Sequence, residues 1–140
     1  MSKIEYRKLS SDDLPLALAM NRDFREGFAE KSSLRAFLSS PDCWLFAAVL
    51  ENRIVGFAYG YALQRLNTGR KMLYIHEVGV LDEYQRQGIG TKLINGIMEK
   101  YPHVYQMELL TDNTEKTICF YKSVGFRPAD EMGCISFIRM

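Results

Sequence analysis

Val80-Leu81-Asp82-Glu83-Tyr84-Gln85-Arg86-Gln87-Gly88-Ile89-Gly90-Thr91 joins two different periodicities, and the junction decides the fold. Before it, residues 72–80 form a β-branched and aromatic run, Met-Leu-Tyr-Ile-His-Glu-Val-Gly-Val, that predicts a buried strand. After it, Ile89, Leu93, Ile97 and Tyr101 recur at helical spacing and predict a helix over residues 87–101. Gln85 to Thr91 therefore places two glycines and several free backbone N–H groups at a helix N-terminus, where phosphate is electrostatically favoured. Glycines also serve tight strand-to-helix turning with no ligand. A dinucleotide fingerprint needs a third glycine where this chain has Leu93, and a Walker loop needs Gly-Lys-Ser/Thr where it has Gly90-Thr91-Lys92. Neither of those motifs fits.

Working outward, Ile4, Tyr6 and Lys8 alternate as a short first strand, and Ser10-Ser11-Asp12-Asp13 supplies helix caps. One or two helices are expected over residues 12–39, up to the break at Ser39-Ser40-Pro41-Asp42. Residues 44–50 and 54–63 flank Glu51-Asn52-Arg53 as a hairpin. On the far side, Pro102 follows the helix, residues 104–110 read as strand, 114–124 as helix, and Gly133 to Arg139 as a last strand after the Gly125-Phe126 turn. The expected order is βααβββαβαβ. No repeat, low-complexity tract or change of composition interrupts the 140 residues, which are read as one domain, 1–140.

The composition narrows the function classes. A hydrophobic content of 47% with 25% charged residues is that of an ordinary folded globular chain. The formal charge is +1 with no block of like charges, which argues against nucleic-acid binding and an anionic membrane surface. Cys43, Cys119 and Cys134 are widely spaced and predict reduced thiols, with no disulfide framework and no metal site. No apolar run approaches the ~18 residues of a membrane span, and the start lacks a secretion signal, so a cytoplasmic protein is expected.

Residues 80–90 resemble the acetyl-CoA signature of the GNAT superfamily of N-acetyltransferases, Gln/Arg-x-x-Gly-x-Gly/Ala after a strand, through Gln85, Gly88 and Gly90. Phe120-Tyr121-Lys122-Ser123-Val124-Gly125-Phe126 resembles the Phe/Leu-Tyr-x-x-x-Gly-Phe block of the same superfamily, in the expected order. The resemblance covers roughly residues 44–139. It implies an α/β (α+β) GNAT fold: a mixed, mostly antiparallel twisted sheet of six to seven strands, splayed at its fourth and fifth, with about four helices. It also implies acetyl-CoA as co-substrate and no metal. The pyrophosphate would lie against Gln85, Arg86, Gln87, Gly88, Ile89, Gly90 and Thr91, with Arg86 supplying charge-assisted bonds. The backbone at Val78 and Val80 would bond the pantetheine arm like an added strand. Relatives place an Asn seven positions before the tyrosine; here that position is Thr114, with Asn113 one residue earlier, so no cofactor contact is assigned to either.

Acetyl transfer needs a neutral amine, yet an alkylammonium titrates near ~10, so a base or a water chain must take its proton. Glu77 is the candidate, at the position where the superfamily commonly carries a carboxylate and within an otherwise apolar strand. Pairing with an arginine, or a place at a solvated bulge, is the alternative use of such a residue. His76 is a second candidate base, although strand alternation points it to the opposite face unless a bulge intervenes. Tyr121 resembles the superfamily tyrosine that protonates the departing thiolate; packing on its helix is the alternative.

Asp23, Glu26 and Glu30, at helical spacings, could share a face and attract a cationic acceptor, or form a solvated stripe. Tyr59 and Tyr61 could border an acceptor cleft or simply pack across strands. The layout from Tyr74 to Phe137 is similar to that of aminoglycoside 3-N-acetyltransferases, which suggests a small-molecule amine. A peptide or protein acetyltransferase and a non-catalytic acetyl-CoA-binding module are the competing readings, and a homodimer is expected by resemblance.

Overall fold

The computed structural model describes residues 3–140. Two compact units divide the chain, one running through Leu109 and the other from Leu110 to Met140.

The first unit is a five-stranded sheet, β1 (Glu5–Lys8), β2 (Cys43–Leu50), β3 (Arg53–Gln64), β4 (Lys71–Val80) and β5 (Gln106–Leu109), in that spatial order. β1 to β4 pair antiparallel and β5 runs parallel to β4. Helices α1 (Leu14–Asp23) and α2 (Lys31–Ser39) cover one face, where Leu14, Ala17 and Met20 pack with Leu45, Ala47, Val49 and Phe57. Helix α3 (Ile89–Lys100) covers the other through Ile89 and Leu93, against Ala48 and Val55. Successive residues of β2 thus serve opposite helices, which is why both faces of that strand are apolar. Glu51 and Asn52 both have positive φ, 49° and 61°, the geometry of a two-residue type I′ turn that matches the twist of β2 and β3.

Two further features of the sheet shape the site. The β4–β5 ladder ends at Ile75↔Leu109, so the last five residues of β4 have no partner on that side among the described residues and the strands splay as expected. The β3–β4 ladder is irregular: Tyr59 pairs with Glu77 but Gly60 pairs with Ile75, leaving His76 as an extra residue in a bulge. Gly60 makes the close approach possible, because a Cβ there would overlap the Tyr74 carbonyl oxygen and crowd Trp44.

The second unit holds α4 (Glu115–Ser123) and a 3-10 turn, Ala129–Met132. Thr114 caps α4, its Oγ1 accepting from Thr117 N at 3.3 Å. At the other end, Phe126 N donates to Tyr121 O at 2.9 Å and Gly125 N to Lys122 O at 3.1 Å, with Gly125 at φ 98°. This is a Schellman cap, completed by the Tyr121 and Phe126 rings 5.7 Å apart. The expected strand from Gly133 to Arg139 does not form, so the sheet has five strands rather than six to seven. That segment alternates like a strand, but a strand exists only as one member of a hydrogen-bonded pair, and no ladder is offered to it within the described residues.

Candidate active site

The β4 bulge decides the site's geometry. It cancels the alternation of His76 and Glu77, so both reach the same tyrosine of β3. The His76 ring stacks on Tyr59 at 5.2 Å, and Glu77 stands opposite Tyr59 in the ladder, its charge acting on the phenol. Tyr61 and Tyr74 set their edges to His76, each at 6.2 Å. The histidine therefore sits in an aromatic cluster beside the carboxyl, rather than on the opposite face.

A cavity of about 340 Å³ opens at this point, with Asn21, Glu26, Glu30, Phe37, Tyr59 and Glu77 in its wall and neither Lys nor Arg in its lining. Of the three carboxylates expected on one helical face, Asp23 is the last residue of α1 and pairs instead with Arg53 Nε at 3.3 Å. Glu26 and Glu30 reach the cavity because the chain leaves the helix there. Arg25 and Gly27 both adopt positive φ, 56° and 82°. Asn21 ties the loop back, its Nδ2 donating to Gly27 O at 2.7 Å and its carbonyl accepting from Glu26 N at 3.0 Å.

Burial raises Glu77 above the ordinary glutamate range, and the charge and hydrogen bond of Glu26 raise it further; His76 and Tyr59 pull the other way. The Tyr59 phenol is pushed up to about 12, first by burial and then by the charge of Glu77. Tyr59 is thus a fixed proton donor at neutral pH, facing a carboxyl that retains its own proton more readily than usual.

The turn before α3 has the donors of an anion cradle. Gly88 is the N-cap at φ 78°, and Arg86 adopts φ 64°. The first helical bond runs from Lys92 N to Gly88 O at 3.1 Å, so the amides of Ile89, Gly90 and Thr91 have no helical acceptor. A Cβ on Gly88 would meet nothing within 4 Å, so glycine is needed there for its φ and the space before it is open. Arg86 and Gln87 are exposed beside it. The Gln85 side chain is spent on the turn itself, its Nε2 donating to Val80 O at 3.1 Å and to Asp82 Oδ1 at 3.3 Å. Val78 and Val80 pair with Ala58 and Gly56 of β3, while their other side is the open edge left by β5.

In the second unit, Tyr121 is half-buried on α4 between the edges of Phe120 and Phe126, and burial raises its phenol. The sequence reading missed Asn21 and Phe37 as parts of the site. Asn21 carries no signal beyond being a polar residue near a helix end, and Phe37 reads simply as core.

Residues 9–126 match the model of the acetyltransferase (GNAT) family. An N-alpha-acetyltransferase of Sulfurisphaera tokodaii is 30% identical over 101 residues, 64% of this chain and 60% of that protein. The match thus spans less than two thirds of this curated relative's length. Among solved structures, an aminoglycoside acetyltransferase from an uncultured soil metagenomic sample, in complex with sisomicin, superposes with a TM-score of 0.84 and 25% identity, over 98% of this chain and 95% of that one. A GNAT family acetyltransferase from Streptococcus pneumoniae TIGR4 gives 0.72 and 26%, over 98% of this chain and 97% of that one.

Proposed function

The chain belongs to the acetyltransferase (GNAT) family, and from that premise we propose that it moves an acetyl group from acetyl-CoA to a primary amine of a small cationic molecule, an aminoglycoside among the candidates. The observation that carries this reading is Glu77 at the bulge, turned to a largely apolar cavity whose only charged lining residues are Glu26, Glu30 and Glu77. Such a cavity favours a cation and rejects an anion.

Acetyl-CoA, when bound, supplies an activated acyl group as its thioester. The free amides of Ile89, Gly90 and Thr91, with the Gly88 turn and the side chains of Arg86 and Gln87, suit its pyrophosphate. Gln85 holds that turn in shape, and the open edge at Val78 and Val80 suits an extended amide-bearing arm. Glu77 takes the proton from the acceptor's ammonium, directly or through water, and its raised affinity for protons makes it a better base than an ordinary glutamate. Tyr121, kept protonated by burial, is the proposed donor to the departing sulfur. We assign the activity to the chain as one N-acetyltransferase domain, a homodimer in the cytoplasm; no described helix is long and apolar enough to cross a membrane.

Similarity to an N-alpha-acetyltransferase supports a second acceptor class, the amino terminus of a peptide. Calorimetry with acetyl-CoA, followed by thiol release across aminoglycosides, polyamines, amino acids and short peptides, separates the readings. Turnover on polycationic small molecules is expected. Turnover only on peptides would transfer the reading to the second class, binding without turnover would leave an acetyl-CoA-binding module, and absence of binding would reject the proposal.

A further inference from the structure

Past the wall of the cavity the apolar surface continues along the sheet as a group of rings. Tyr59 pairs with Glu77 and Tyr61 with Tyr74, so these four side chains stand on one face of β3 and β4. The bulge adds His76 to that face, its ring 5.2 Å from Tyr59 and 6.2 Å from both Tyr61 and Tyr74. Phe37 of α2 joins the two regions: it lines the cavity, and its ring meets those of Tyr59 and Tyr61 edgewise at 5.8 and 5.9 Å. Tyr59 also belongs to both regions, whereas Tyr61, Tyr74 and His76 are not part of the cavity lining. Tyr61 and Tyr74 are half-buried, and His76 is exposed although its ring is stacked on Tyr59. Aromatic surface is thus left open to solvent beside the place where a cationic amine would meet Glu77.

We propose that Tyr61, Tyr74 and His76 form a second acceptor subsite, which receives the saturated ring of a cyclic amino alcohol, such as an amino sugar, whose amine lies at Glu77. The inference rests on the reading of Glu77 as the base, which fixes where the reacting amine sits. Two properties of the surface select this chemistry. Aromatic rings offer apolar faces to the C–H face of a saturated ring, and the two phenols end in hydroxyls that donate to or accept from ring hydroxyls. A rigid ring also loses less conformational freedom on binding than a flexible chain, so a linear polyamine, with no face to present, gains less from the same surface. The carboxylates of the cavity attract both kinds of amine, and the ring cluster separates them. His76 is thereby a specificity-determining residue, a role that requires its ring and not its proton.

Calorimetry in the presence of CoA, which has no acetyl group to transfer, measures acceptor affinity without turnover. The probes are kanamycin, built of amino-sugar rings, and spermidine, a linear polyamine. In His76→Ala the dissociation constant of kanamycin should rise about tenfold, the order of one aromatic contact, while that of spermidine stays within about twofold. Tyr61→Leu should lose the preference in the same way, and His76→Phe, which keeps a ring and carries no titrating proton, should retain it. His76 is exposed, so its replacement leaves the core intact. Equal losses for kanamycin and spermidine in His76→Ala overturn the proposal, as does an unchanged kanamycin affinity in His76→Ala and Tyr61→Leu. Failure of kanamycin to bind a protein that binds CoA overturns it too. Absent CoA binding is the separate failure of the transferase reading, and the subsite falls with it.

Discussion

Gly60 and Glu77 lie at neighbouring positions of the β3–β4 ladder and depend on each other. Without a side chain at Gly60 the strands come close enough to expel His76 into a bulge, and the bulge turns Glu77 to the cavity. Gly60→Ala should therefore cost about 2–3 kcal/mol in urea denaturation, since the clash is with backbone that cannot rotate away. It should also lower turnover in molecules that remain folded. Unchanged stability would show that the ladder can widen there freely. Glu77→Gln keeps the shape and removes the base, so turnover should fall about 10²-fold with acetyl-CoA affinity unchanged in calorimetry. Full turnover in that variant would assign the proton to His76 or to water. The bulge marks the limit of what these residues disclosed in sequence. Glu77 stood out as a charge in an apolar run, but its facing depends on how β4 meets β3, and a strict period of two assigns His76 and Glu77 to opposite sides.

At the scale of single elements, the turn into α3 was legible because its determinants are local. Gly88 takes the left-handed φ that a glycine permits, and the helical period begins at the next residue. Gly88→Glu should abolish acetyl-CoA binding by placing bulk and negative charge before the free amides, whereas Gly88→Ala, at a cost of about 1 kcal/mol from φ alone, should weaken it less. Equal affinities for wild type and Gly88→Glu would remove the cradle from the proposal. Helix α4 shows the opposite case, a motif with two readings. Tyr121, Gly125 and Phe126 close a Schellman cap, so their pattern has a structural use independent of chemistry. Tyr121→Phe keeps the ring contacts and removes only the hydroxyl. A fall of about 10²-fold in turnover at unchanged thermal stability supports the proton donor, and normal turnover leaves the cap as the whole explanation. The misread element, Gly133 to Arg139, has strand-like alternation, with Ile135 and Phe137 69% and 89% exposed. Alternation reports what a segment could pair with, not whether a partner is present.

For the whole molecule, two carboxyls with opposite shifts set the pH range in which the fold is most stable. Asp13 accepts from Arg7 Nη1 at 2.9 Å and from Ser10 N at 2.8 Å, and the Arg7 hydrogen bond above all holds it below the usual aspartate range. Its contribution is present above the unfolded aspartate pKa and is lost as pH falls through the lowered folded one. Glu77 is shifted the other way, by burial first and then by Glu26. Between the ordinary glutamate pKa and its own raised one, the folded chain binds more protons than the unfolded chain, so stability declines as pH rises through that window. The first limb is complete above the ordinary aspartate pKa and the second begins at the ordinary glutamate pKa, so the combined contribution of these two carboxyls is greatest between those values and declines above them. Thermal denaturation across pH should show it. Asp13→Ala should lower the curve by about 1 kcal/mol at neutral pH, where the ion pair and cap are intact, and should lower it least in strong acid. Glu77→Gln should remove the decline on the alkaline side and raise the melting temperature at neutral pH, the same substitution that removes turnover. A Glu77→Gln protein no more stable than wild type at neutral pH would mean that the ionised carboxyl carries no penalty in the fold, and the account of Glu77 as a carboxyl raised by burial would fail with it.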